Sequence, residues 1–129
     1  VSIGPGYLLD TQVLLWLDHK PERIAGSVYE LISDPGTTVY LSSASIWEAV
    51  LKMSLKKLHL NTPILELMNR ARLVELHVTS RYMNAVAQLP FHHKDPFDRM
   101  LIAQAQVESL ILVTSDTQML PYDVAIISV

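Results

Sequence analysis

Hydrophobic positions recur along this chain at two spacings, and the alternation between them predicts its architecture. Tyr7-Leu8-Leu9 is a short apolar run that stops at Asp10, and an amphipathic stretch follows to Leu17. Beyond Pro21, the residues Ile24, Val28, Leu31 and Ile32 fall at i, i+4, i+7 and i+8, the spacing of one helix face. Asp34-Pro35-Gly36 ends that helix with turn chemistry. The β-branched and aromatic run Thr37-Thr38-Val39-Tyr40-Leu41 predicts a strand. A helix is expected from about Ile46 to Lys57, and another after Pro63 with Ile64, Leu65, Leu67 and Met68.

Leu73–Val78 predicts a third strand, and Tyr82, Val86 and Leu89 mark a short helix closed by Pro90. The clearest helix opens at Asp95-Pro96-Phe97-Asp98 and runs to about Ser109. Asp95 suits the N-cap, Pro96 the first helical position, and Asp98 the third. Ile111–Thr114 and Val124–Ile127 complete the strands. Strands alternating with helices predict an α/β fold with a mostly parallel central sheet.

Composition narrows the picture. The 129 residues are 50% hydrophobic and 18% charged, which excludes a disordered chain. With no linker or repeat, residues 7–129 read as one domain and residues 1–6, which open without Met, as a leader outside it. No apolar run reaches the roughly 20 residues needed to span a bilayer, and no basic segment precedes the first apolar stretch, so neither a membrane span nor a secretory signal is expected. The absence of Cys excludes a thiol nucleophile and a disulfide scaffold and fits a cytoplasmic setting. A mean hydropathy of +0.25 is high for a small monomer and points to apolar surface reserved for a partner or a second copy.

The net charge of −3 is the wrong sign for a simple binder of polyanions, so any such function has to account for the acids. Four of them share one address. Asp10 ends the first strand, Glu48 lies in the first turn of the helix after the second, Asp98 opens the long late helix, and Asp116 follows the strand Ile111–Thr114. Open α/β sheets bind ligands beyond the carboxyl ends of their strands. Two carboxylates 4 Å apart repel by about 4 kcal/mol at an effective dielectric near 20. Such a cluster persists by retaining protons or by binding cations. All-oxygen ligation favours Mg²⁺ or Mn²⁺ over zinc.

Local roles compete with that chemistry. Ser45-Ile46-Trp47-Glu48 reads as a capping box, Asp98 suits the helix dipole, and Asp116 suits a turn. Asp95 is most simply a cap. Thr11, Ser43 and Thr114 sit near the acids, where they could orient a ligand or serve as turn and cap residues. His92-His93 reads as a solvated or substrate-facing loop, since adjacent residues do not face one way. Lys52, Lys56 and Lys57 read as a solvated helix face, with phosphate contact the minor alternative, and Trp16 and Trp47 as core or interface anchors.

Four blocks carry a resemblance. Leu8-Leu9-Asp10-Thr11, Ser45-Ile46-Trp47-Glu48, His93–Arg99 with Leu101–Ala105, and Leu112–Asp116, in this order, resemble the PIN-domain family, and within it the VapC-type toxins of prokaryotic toxin–antitoxin pairs. The resemblance spans about residues 7–129. It implies an α/β/α sandwich and a Mg²⁺- or Mn²⁺-dependent endoribonuclease whose metal site is Asp10, Glu48, Asp98 and Asp116, with Thr114 at a frequent Ser/Thr position. It also implies an RNA substrate, a cognate antitoxin and a homodimer. Arg99 is placed beside that site, as a phosphate contact or a surface residue. Two rival readings stand against the enzyme: an inactive PIN-like binding module, and an Asp-dependent phosphatase or phosphotransfer domain. The dehalogenase-like version of the latter needs an Asp where the chain has Gln12.

Overall fold

The computed structural model of the protein describes residues 5–129. Five strands form one parallel sheet: β1 (Gly6–Leu9), β2 (Thr38–Ser42), β3 (Leu73–Leu76), β4 (Ile111–Thr114) and β5 (Ile126–Ser128). Six helices connect them: α1 (Thr11–His19), α2 (Gly26–Ser33), α3 (Ser43–Ser54), α4 (Ile64–Arg70), α5 (Ser80–Val86) and α6 (Pro96–Glu108). The spatial order is β3-β2-β1-β4-β5. The chain therefore builds outward from β1 to β3, then returns to the other side of β1 for β4 and β5. The reversal falls between β1 and β4, where parallel sheets open a crevice at their carboxyl edge.

Parallel strands are covered on both faces, and these show it by alternation. Leu9, Val39, Leu41 and Val113 face a core shared with Val13, Leu14, Val28 and Ile32 from α1 and α2. Leu8 and Leu112 face the opposite core, with Leu101, Ile102 and Ala105 from α6 and with Met119 and Tyr122. The result is an α/β/α sandwich. Among the described residues, no helix is long and apolar enough to cross a membrane.

Most expected elements are present, with shifted ends. Residues 1–4 of the expected leader lie outside the described residues, and Gly6 is already in β1. A Cβ on Gly6 would lie 2.8 Å from both the Tyr40 ring and a Leu110 methyl group, so any other residue there would have to displace these side chains. The helix expected from Ile46 begins at Ser43, because β2 runs into it without a loop and the Ser42 hydroxyl caps it by accepting from the Ala44 amide at 3.0 Å. It ends at Ser54, before Lys56 turns to φ 58°. The third strand stops at Leu76, two residues short of the prediction, and the last strand is displaced to Ile126–Ser128.

Candidate active site

Chain direction brings the acids together. A helix that follows a parallel strand starts at the carboxyl edge of the sheet, and one that leads into a strand starts there too. Asp10 caps α1 directly after β1, accepting from the Val13 amide at 2.8 Å. Its own amide donates to the Val113 carbonyl at 3.0 Å, which ties it to the end of β4. Asp98 sits in the first turn of α6, and Asp116 follows β4. These residues, with Glu48 and Asp95, line a cavity of about 280 Å³.

Two threonines set the acids' orientation. The Thr114 hydroxyl donates to Asp10 Oδ2 and accepts from the Asp116 amide at 2.9 Å, so one side chain links two of the carboxylates. Thr11 donates to Glu48 Oε1 at 2.6 Å. Lys52 Nζ donates to Glu48 Oε2 at 2.7 Å. Asp95 caps α6, accepting from the amides of Phe97 at 2.8 Å and Asp98 at 3.1 Å, while still facing the cavity.

The electrostatics describe a site short of positive charge. Five carboxylates line the cavity against one lysine. Burial raises the Asp10 carboxyl above its usual range, against opposing hydrogen bonds from Thr114 and the Val13 amide, and the charge of Asp116 adds to the rise. Burial, followed by the charge of Asp95, pushes Asp98 up to about 7; His93 opposes the rise, and Glu48 and Asp10 add to it. The hydrogen bond to Glu48 holds Lys52 above its ordinary value, against the effect of burial. Burial leads the rise at both aspartates, and the neighbouring carboxylates add to it. An all-oxygen donor set of this kind fits a hard divalent cation such as Mg²⁺ or Mn²⁺.

Four sequence expectations need correction. Glu48 is not the partner in a capping box: Ser42 is the cap, and Glu48 lies in the second turn of α3, held by Thr11 and Lys52. Ser43 is not beside the acids. Its hydroxyl accepts from the Val78 amide at 2.9 Å, and it lines a separate apolar cavity with Trp47, Phe97 and Met100. Arg99 is neither a phosphate contact nor a surface residue. It is buried, and its guanidinium donates to the carbonyls of Val86, Leu89, Pro90 and His93 and packs over the Phe91 ring at 4.1 Å. Lys52 is not solely part of a solvated face. Its i,i+4 spacing from Glu48 was the available signal for the pair.

His93 is the residue that periodicity missed. It is buried, with Nε2 lying 2.7 Å from Asp116 Oδ2 and 3.0 Å from Asp98 Oδ2. No spacing rule places a loop histidine there. His92, its neighbour, packs edge-on against Tyr122 instead.

Comparison with known proteins agrees with this architecture. Among curated proteins, none matches the chain. Solved structures do. VapBC2 from Rickettsia felis, bound to a DNA fragment of its promoter, aligns with a TM-score of 0.69 at 17% identity, over 95% of this chain and 98% of that chain. DNA-bound VapBC from Salmonella typhimurium aligns at 0.67 and 18%, over 97% and 98%. FitAcB from Neisseria gonorrhoeae aligns at 0.63 and 23%, over 95% and 96%. At these identities the likeness is one of fold. The family described as PIN domain matches residues 7–125. With that match across nearly the whole described chain, the protein belongs to the PIN domain family.

Proposed function

We propose that residues 7–129 form one catalytic domain, a divalent-metal-dependent endoribonuclease that hydrolyses RNA phosphodiester bonds as the toxin of a toxin–antitoxin pair. The observation that carries this reading is the convergence of Asp10, Glu48, Asp98 and Asp116 on one cavity at the sheet's switch point. Asp10 and Asp98 are the core ligands for Mg²⁺ or Mn²⁺, and Asp116 and Glu48 complete the set directly or through water. The cation, when bound, supplies positive charge for the phosphate and lowers the pKa of attacking water.

The protein's own residues do the rest. Thr114 and Thr11 hold Asp10 and Glu48 in fixed orientations, so the carboxylates are arranged before substrate arrives. Lys52, part-exposed at the cavity, pairs with Glu48 and presents an ammonium toward an incoming phosphate. Two divalent ions would turn the formal −3 of the chain to about +1, which reconciles an acidic protein with a polyanionic substrate.

A cognate antitoxin and a homodimer in the cytoplasm are part of the same reading. The structural neighbours support the partner, since one of them is a toxin–antitoxin complex from Klebsiella pneumoniae. The exposed Trp47, beside the apolar cavity of about 350 Å³ between α3 and α6, supports an interaction surface. The deciding experiment is cleavage of a mixed cellular RNA pool with EDTA, Mg²⁺ or Mn²⁺, beside Asp10→Asn. Discrete metal-dependent cuts, lost in the variant, are expected. A folded protein free of bound inhibitor that cuts with neither metal would instead favour the binding module.

A further inference from the structure

His93 has all four of its polar atoms engaged. Its amide donates to the Tyr122 hydroxyl at 2.8 Å, and its carbonyl accepts from Arg99 at 3.4 Å. Nδ1 accepts from the Asp95 amide at 3.2 Å, which leaves the ring proton on Nε2. That N–H points at Asp116 Oδ2, with Asp98 Oδ2 close by on the same nitrogen. The three ligand-type atoms lie within 4.8 Å of one another, near enough for one ion to touch all three. A protonated Nε2, however, has no lone pair to give.

We propose that His93 is a positioning residue of the acidic site: a fixed N–H donor that holds Asp98 and Asp116 together in readiness for a cation. Without it, two carboxylates from different elements, α6 and the segment after β4, would repel and separate. With its backbone held at the amide and carbonyl and its ring held at Nδ1, His93 is a scaffold for the site and not a placeholder for the ion. Hydrogen bonds that orient ligating carboxylates are worth about 10–100-fold in metal affinity. The inference rests on the acidic-site reading above.

Mn²⁺ binding, followed by the loss of the free-ion EPR signal, tests this without reference to cleavage. The variants are His93→Gln, whose amide N–H reaches about as far as Nε2, His93→Asn, which reaches only as far as Nδ1, and His93→Ala. We expect Gln to bind within about threefold of the parent, and Asn and Ala to bind at least ~10-fold more weakly with unchanged circular dichroism. Where Ala fails to fold, the Gln–Asn pair decides. Equal affinity in those two, or any of the three binding more tightly than the parent, overturns the role. A parent protein that binds no Mn²⁺ overturns the acidic-site reading itself, which separates the two failures.

Discussion

Thr11 Oγ1 donates a 2.6 Å hydrogen bond to Glu48 Oε1, joining the first turn of α1 to the second turn of α3 across 37 residues of chain. The bond is buried, so Glu48 owes its position to α1 as much as to its own helix. Thr11→Val keeps the shape and removes the donor. A hydrogen bond to a charged group contributes about 1.5–3 kcal/mol. Urea denaturation at neutral pH is expected to show a loss in that range, and RNA cleavage is expected to slow by about tenfold as Glu48 loses its orientation.

Asp98 links the site's chemistry to the stability of the metal-free protein. Its folded-state pKa of about 7 lies above the ordinary 3.8, so the folded protein holds a proton that the unfolded chain has released. That contribution is full below about pH 4 and is lost as pH rises through 7. In EDTA, the urea midpoint is expected to fall between pH 5 and 8 more steeply in the parent than in Asp98→Asn. Saturating Mn²⁺ should remove the difference in the parent. The variant is also expected to abolish cleavage while remaining folded.

Arg99 secures the segment that carries His93. Its guanidinium satisfies the carbonyls of Val86, Leu89, Pro90 and His93 with a planar fork that an ammonium cannot reproduce. Arg99→Ala leaves several of these acceptors unpaired, at about 1–3 kcal/mol each when buried. We expect a stability loss of about 3 kcal/mol or more, little recovery in Arg99→Lys, and early proteolysis between residues 87 and 95. A shift of under half that size would mean that the carbonyls find water without cost.

Asp18 ties the chain between α3 and α4 to α1. Its carboxylate accepts from the amides of Asn61 at 2.6 Å and Thr62 at 3.0 Å. Burial raises this carboxyl, but those bonds and His19 outweigh it and hold the pKa below its usual value. The sign is opposite to that of Asp98: the stabilisation is present above about pH 4 and is lost as pH falls through the folded-state pKa. Asp18→Ala is expected to unfold at lower urea than the parent at pH 7, with the gap closing near pH 2. A gap of constant size across that range would show that the carboxylate's charge is not involved.

The four acids were legible because each lies where a parallel α/β chain crosses the carboxyl edge of its sheet. Asp10 follows an apolar run, Asp116 follows another, and Asp98 opens a helix marked by Asp95-Pro96. Glu48 falls on the expected helix but one turn later, because Ser45 has the sequence of a cap while Ser42, still within the strand's pattern, is the cap. Arg99 adjoins Asp98 in sequence yet lies about 100° further round α6, which aims it at the segment before the helix instead of at the cavity. His93 had no periodic signal, because its placement depends on Tyr122 and Arg99, residues remote in the chain or on another face.

Local sequence alone determined the order of strands and helices along the chain, the parallel α/β class they build, and the edge at which the acids collect. Hydrophobic spacing and turn chemistry act over a few residues, and chain direction in a parallel sheet does the rest. Only the tertiary structure decided which polar atoms meet. The pairs Thr114–Asp10, Thr11–Glu48 and His93–Asp116 join residues 104, 37 and 23 positions apart. Their geometry follows from how the packed elements fix each side chain against a distant neighbour, and a linear pattern carries no record of that.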